Sequence, residues 1–213
     1  MRTTHSNPAI DFFQEHNIKG FLEDEEGLAL FDLALKTLAM GPCLEIGSYC
    51  GRSTVFIGKA CKQLGNTLYA VDHHRGSEEH QQGEQYHDKA LFNEQLKLVD
   101  SFPAFRRTLS LAQLESVVVP LVASSELAAR HWKTPLGLVF IDGGHSPEMS
   151  REDCFMWAEK LALGAYMAIH DIYEKPEDGG QGPFLAMQAL LQCGKFTFIE
   201  KVCSLGVIKK IVN

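Results

Sequence analysis

Leu44-Glu45-Ile46-Gly47-Ser48-Tyr49-Cys50-Gly51-Arg52-Ser53 reads as the end of a strand, a tight turn and the start of a helix. Two glycines, Gly47 and Gly51, stand between an apolar run and an amphipathic segment. Glycines in such a turn let the backbone curl closely round a small ligand at the carboxyl end of a sheet strand. Glu45 stands where a phosphate-binding loop carries glycine, and its carboxylate would repel a pyrophosphate set at the helix N-terminus. The stretch therefore predicts a nucleotide-like site that avoids phosphate.

Working outward, helix-like and strand-like stretches alternate. Glu25 to Met40 carries a helical stripe of Leu28, Phe31, Leu35 and Leu38 that Gly41-Pro42 ends, and Cys43 to Ile46 is the first strand. The spacing predicts a helix over Arg52 to Leu64, closed by Gly65-Asn66, then a second strand over Thr67 to Val71. Asp72 to His87 is polar and reads as a long loop, with a helix expected from Lys89 to Val99. Val117 to Val122 is the third apolar strand, and Ser124 caps a short helix through His131. Leu136 to Ile141 is the fourth strand, and Ser146-Pro147 opens a helix to about Leu161. Gly164 to Ile169 is the fifth strand, Phe184 to Cys193 a helix, and Lys195 to Lys201 with Leu205 to Ile211 a closing hairpin. Unbroken runs such as Leu138-Val139-Phe140-Ile141 suit strands covered on both faces, as in a parallel α/β sheet. The expectation is a single domain over 1–213, with residues 1–40 a helical cover and 41–213 a ligand-binding core.

Composition narrows the partners. A chain of 213 residues can bury a full core, and 45% hydrophobic against 22% charged residues is the balance of a globular protein. The net charge of −7 leaves no general basic face, so neither nucleic acid nor an anionic membrane is an expected partner. No apolar run approaches the roughly 20 residues of a membrane span. Met1 to Asn17 resembles neither a secretory nor a transit peptide. Cys43, Cys50, Cys61, Cys154, Cys193 and Cys203 lack C-x-x-C spacing, which favours free thiols in a reducing cytoplasm over zinc or disulfides.

Ligands of open α/β sheets bind beyond the carboxyl ends of the strands. Those ends here carry Glu45, Asp72-His73-His74, Ala123-Ser124-Ser125, Asp142-Gly143-Gly144-His145 and His170-Asp171. Acidic or polar groups thus converge on one edge. Asp72, ending the second strand, is placed to accept both hydroxyls of a ribose. A ribosylated, cationic ligand without phosphate fits Glu45 and Asp72 together.

Glu45-Ile46-Gly47-Ser48-Tyr49-Cys50-Gly51 followed by Asp72 resembles the first motif and ribose acid of the class I S-adenosylmethionine-dependent methyltransferases. The likeness covers roughly residues 25–213. It implies a Rossmann-like, doubly wound, mostly parallel seven-stranded sheet in which the C-terminal hairpin supplies an antiparallel strand. It also implies that Glu45, Gly47, Ser48, Gly51 and Ser53 hold the amino-acid end of S-adenosylmethionine. Asp72, with His73 beside it, would hold the ribose, and Ser124 and Ser125 would lie near the adenine.

Phe140-Ile141-Asp142-Gly143-Gly144-His145 and Ala168-Ile169-His170-Asp171 resemble the metal-dependent O-methyltransferases, including catechol-type and antibiotic-tailoring enzymes. Catechol-type relatives hold magnesium with the fourth-strand aspartate and an Asp-Asn pair, where this chain has His170-Asp171. The resemblance implies Asp142 and Asp171 as ligands of a divalent ion, magnesium first, with manganese or iron allowed by the softer His170. His170 is either a third ligand or a hydrogen bonder behind one. His145 stands where catechol-type relatives carry a lysine base, and a histidine of pKa about 6.5 can do that work at neutral pH. The alternative is that His145 caps the helix at Ser146-Pro147 or bonds its own loop.

The loop histidines His73, His74, His80 and His87, interspersed with Glu78, Glu79 and Glu84, read as a solvated flap over the acceptor site or, alternatively, a metal cluster. Arg75 there can meet an acidic substrate. Trp132 and Trp157 are expected to pack helices on the sheet, and Phe12-Phe13 either covers the site or faces a second copy in a homo-oligomer. The leading expectation is metal-assisted O-methylation of a small hydroxylated molecule. A nicotinamide-dependent oxidoreductase and a noncatalytic cofactor-binding protein of the same fold are the alternatives.

Overall fold

The computed structural model describes residues 7–76 and 88–213. Helix α1 (Pro8–Glu15) opens on Asn7, whose side chain accepts from the Ala9 amide, with proline in the first turn. Helix α2 (Asp24–Leu35) starts from a capping box in which Glu23 and Glu26 exchange bonds. It ends at Leu35, short of the expected Met40. Thr37 turns its hydroxyl onto the Ala34 carbonyl, and its own carbonyl accepts from Met40 and Gly41, so the chain leaves the helix in a tight turn.

Strand β1 (Cys43–Ile46), helix α3 (Arg52–Leu64) and strand β2 (Leu68–Val71) follow as the spacing predicts. Gly65, at φ 67°, closes α3. The helix expected over Lys89 to Val99 is instead a single 3-10 turn and a ribbon of β3 (Phe92–Asn93) with β4 (Leu98–Val99). Asn93 is the cause: its side chain accepts from the amides of Gln95 and Leu96, and Lys97 turns left-handed at φ 53°. Helix α4 (Phe102–Ala112) was not among the expected elements, although Pro103 in its first turn and the stripe Phe105, Thr108, Leu109, Ala112 announce it.

The second half runs β5 (Val118–Leu121), α5 (Ser125–Ala129), β6 (Leu136–Ile141), α6 (Pro147–Ala158), β7 (Leu161–Ile169), α7 (Gly182–Gln192), β8 (Phe196–Val202) and β9 (Leu205–Lys210). The sixth helix stops earlier than expected because β7 already begins at Leu161. The main sheet has the order β5-β2-β1-β6-β7-β9-β8. From β5 to β7 every pairing is parallel, while β9 is antiparallel to both of its neighbours. The reversed strand therefore lies one place in from the edge, which β8 occupies.

Helices cover both faces. On one, Phe31, Phe56 and Phe105 share a core; on the other, Trp157, Met187 and Leu190 do. Trp132 stands edge-on to Trp157 and Tyr69, at 5.5 and 4.9 Å, as helix-packing tryptophans should. Phe12 is buried, and Phe13 packs on Phe56 at 5.1 Å with the Arg52 guanidinium over its ring. Both rings are thus engaged within the chain. All six cysteines are free thiols, four of them buried. Among the described residues no helix is long and apolar enough to cross a membrane.

Candidate active site

The parallel sheet brings the carboxyl ends of β1, β2, β5, β6 and β7 to one edge, and the glycine loop follows β1 there. Gly47 has φ 86°, and a Cβ on it would lie 1.9 Å from the Asp142 carbonyl oxygen. Only glycine lets this turn press on the end of β6. Gly51, at φ 92°, caps α3.

Glu45 is fully buried in the sheet. The Thr54 hydroxyl donates to its Oε2 at 2.5 Å, while burial pushes its pKa up to about 7. Among the described residues, buried Oε1 of Glu45 and Oγ of Ser48 make no hydrogen bond. Buried polar atoms of this kind require partners, so the loop suits a ligand that brings its own hydrogen-bonding groups. Ser53 is buried beside Glu45, and its hydroxyl, like that of Thr54, works against burial to lower the Glu45 pKa.

Asp72 ties β2 to the loop: Oδ2 accepts from the Tyr49 amide at 2.8 Å and Oδ1 from the His74 amide at 2.6 Å. Each carboxylate oxygen has a second lone pair for a ligand hydroxyl. His73 is exposed, with Nδ1 accepting from the Arg75 amide. His74 is buried against Phe102 and Phe105, its Nδ1 2.8 Å from Ser101 Oγ, and burial pushes its pKa down. It is a core histidine. Arg75 pairs with Asp100 at 3.6 Å. His80, His87, Glu78, Glu79 and Glu84 lie outside the described residues. The Ser124 hydroxyl caps α5, and that of Ser125 accepts from Trp157 Nε1 at 2.8 Å, so both have structural tasks at the β5 end.

A second cluster forms where β6 and β7 end. His170 Nδ1 lies 3.2 Å from Asp142 Oδ1 and 3.5 Å from Asp171 Oδ1, and His145 Nε2 lies 3.0 Å from Asp171 Oδ2. The Tyr173 hydroxyl donates to Asp171 at 3.1 Å, and Asp171 takes a left-handed φ of 57°. Ser146, not His145, caps α6. Burial alone would push the Asp171 carboxyl up, but His145 and His170 hold it well below the usual range. Burial likewise disfavours a charged His170, yet Asp142, Asp171 and Glu26 raise its pKa far above the ordinary value. Asp142, His170 and Asp171 each offer an atom within 4.8 Å of the others, a donor set that fits a divalent cation. Asp142, His145, His170 and Pro183 line a small cleft at this edge.

Glu26 was not foreseen. Its carboxylate reaches His170 Nε2 at 3.0 Å from the first turn of α2, and Ser204 of the β8–β9 turn donates to it twice. The signal was an acid in phase with Leu30, Leu33 and Ala34 on a helix's buried face.

A sequence profile described as a methyltransferase domain matches residues 44–172, more than half of the chain. Among solved structures, the SAH-bound methyltransferase PaMTH1 of Podospora anserina superposes with a TM-score of 0.69 at 9% identity, covering 97% of this chain and 88% of that one. The O-methyltransferase TomG of Streptomyces achromogenes, in complex with SAM, gives 0.63 at 17% identity over 96% and 88%. An O-methyltransferase of Bacillus cereus in complex with SAH gives 0.63 at 15% identity over 96% and 90%. At such identities these likenesses speak for the fold. The profile, which runs from the glycine loop through Asp72 and Asp142 to His170-Asp171, settles the family: the chain belongs to the methyltransferase domain family.

Proposed function

We propose that this chain transfers the methyl group of S-adenosylmethionine to a hydroxyl oxygen of a small molecule, assisted by a divalent ion. One observation carries the reading: the cluster of Asp142, His145, His170 and Asp171 adjoins the glycine loop, since Gly47 turns directly against Asp142. TomG and the Bacillus cereus enzyme, both O-methyltransferases, bind SAM and SAH on the same fold.

In this reading Glu45, Gly47, Ser48, Gly51 and Ser53 receive the amino-acid end of the cofactor. Asp72 takes the ribose, His73 flanks it, and the β5 end with Ser124 and Ser125 lies by the adenine. Methyl transfer is a displacement in which the C–S bond breaks as the C–O bond forms, leaving a neutral thioether. Alignment of oxygen and methyl group is therefore the main task. The acceptor proton passes to His145, and ionised Asp171 fixes that ring and stabilises the imidazolium. Asp142, His170 and Asp171 would hold the ion. When bound there, a divalent ion lowers the pKa of a hydroxyl that it contacts.

The test combines SAM calorimetry with labelled-methyl transfer to catechols, phenols and aliphatic alcohols in Mg²⁺, Mn²⁺ or EDTA. Cofactor binding, EDTA-sensitive turnover and a loss of about 10²–10⁴-fold in His145→Gln are expected. Failure of the wild-type protein to bind SAM would sink the reading.

A further inference from the structure

A capping box works well at the surface, yet the Glu26 carboxylate is 1% exposed. Its burial calls for another reason. Oε1 accepts from the amide and hydroxyl of Ser204, each at 2.8 Å, while Oε2 accepts from the Glu23 amide and meets His170 Nε2, each at 3.0 Å. One side chain thus joins the start of α2, the end of β7 and the β8–β9 turn. The adjacent residue seats α2 closely on α3: a Cβ on Gly27 would lie 2.2 Å from the Phe56 ring.

We propose that Glu26 is a positioning residue for the cation site, holding the His170 ring so that Nδ1 faces Asp142 and Asp171. This rests on the cation site proposed above and names the residue that prepares it. An ionised carboxylate only accepts hydrogen bonds, so the ring nitrogen that faces Glu26 carries the hydrogen. With Nε2–H committed to Glu26, Nδ1 is the nitrogen that faces the aspartates, and an ion bound between them would take the place of the proton held there. A carboxylate behind a ligating imidazole fixes its tautomer and raises its basicity. The Ser204 amide and hydroxyl and the Glu23 amide also donate to this carboxylate, as an acceptor-only group requires.

The experiment measures Mn²⁺ affinity, SAM affinity and the protonated nitrogen of His170, read by long-range ¹H–¹⁵N NMR in the Mg²⁺-loaded protein. Glu26→Gln keeps the shape but removes the charge, and should weaken Mn²⁺ binding by about 10–100-fold with SAM affinity unchanged. Ser204→Ala should stay near wild type in Mn²⁺ affinity, because the His170 contact remains. Glu26→Asp retains the charge on a shorter arm and should fall between wild type and Glu26→Gln; it carries the test if Glu26→Gln does not fold. Wild-type Mn²⁺ affinity in the Glu26 variants, or a His170 ring protonated at Nδ1 and not Nε2, overturns the proposal. A wild-type protein that binds no Mn²⁺ defeats the cation reading instead. In that event the role of Glu26 stands or falls on whether His170 Nε2 carries hydrogen.

Discussion

The two halves of the site are built by different means. The half proposed for the cofactor is mostly backbone: a run from Glu45 to Ser53, two left-handed glycines, and Asp72 held by two amides. The other half is made of side chains from distant parts of the chain, with Glu26 meeting His170 across 144 positions and Ser204 across 178. A backbone cradle is written in contiguous letters. A side-chain cluster needs the whole fold before its members meet.

The largest effect should come where the halves touch. Gly47→Ala combines a positive φ with a Cβ 1.9 Å from the Asp142 carbonyl, and should cost about 3 kcal/mol or more in urea unfolding while abolishing SAM binding. A tolerated alanine would mean that the loop and the β6 end are mechanically separate.

Glu45 sharpens the comparison through pH. Folded, it holds its proton up to about pH 7; unfolded, it releases it near its ordinary 4.5. Between those values the unfolded chain binds fewer protons, so stability is full below pH 4.5 and falls as pH rises toward 7. The slope should amount to on the order of 3 kcal/mol and vanish in Glu45→Gln, as denaturation at stepped pH would show. A slope retained by the glutamine variant would show that Glu45 is not its origin.

Asp72→Ala leaves the Tyr49 and His74 amides without their acceptor and removes the proposed ribose contact. It should weaken SAM binding by about 1–3 kcal/mol, roughly 5–150-fold, without changing Mn²⁺ affinity. Equal losses of both ligands would show the halves to be one coupled unit.

The same division explains what could be read in advance. The bounds of β1, α3 and β6 agree with the apolar runs and glycines that frame them, and the polar residues expected at the strand ends do share an edge. Asp142, His145, His170 and Asp171 do cluster, because parallel neighbours in register bring their ends together. Where a side chain redirects local backbone, as Asn93 and Thr37 do, periodicity misleads. Glu26 escaped notice because its neighbours in space are far off in sequence, and its helix looked like plain cover.

The pairing of Glu26 with Ser204 also bears on how the protein is made. Contacts so far apart close large loops, a step that topology makes slow. During synthesis the glycine loop and Asp72 can meet once α3 and β2 are out. The buried carboxylate, by contrast, waits for the β8–β9 turn, so its full set of partners assembles only after residue 204 has left the ribosome. Cofactor recognition and cation recognition would then mature at different moments in the life of one nascent chain.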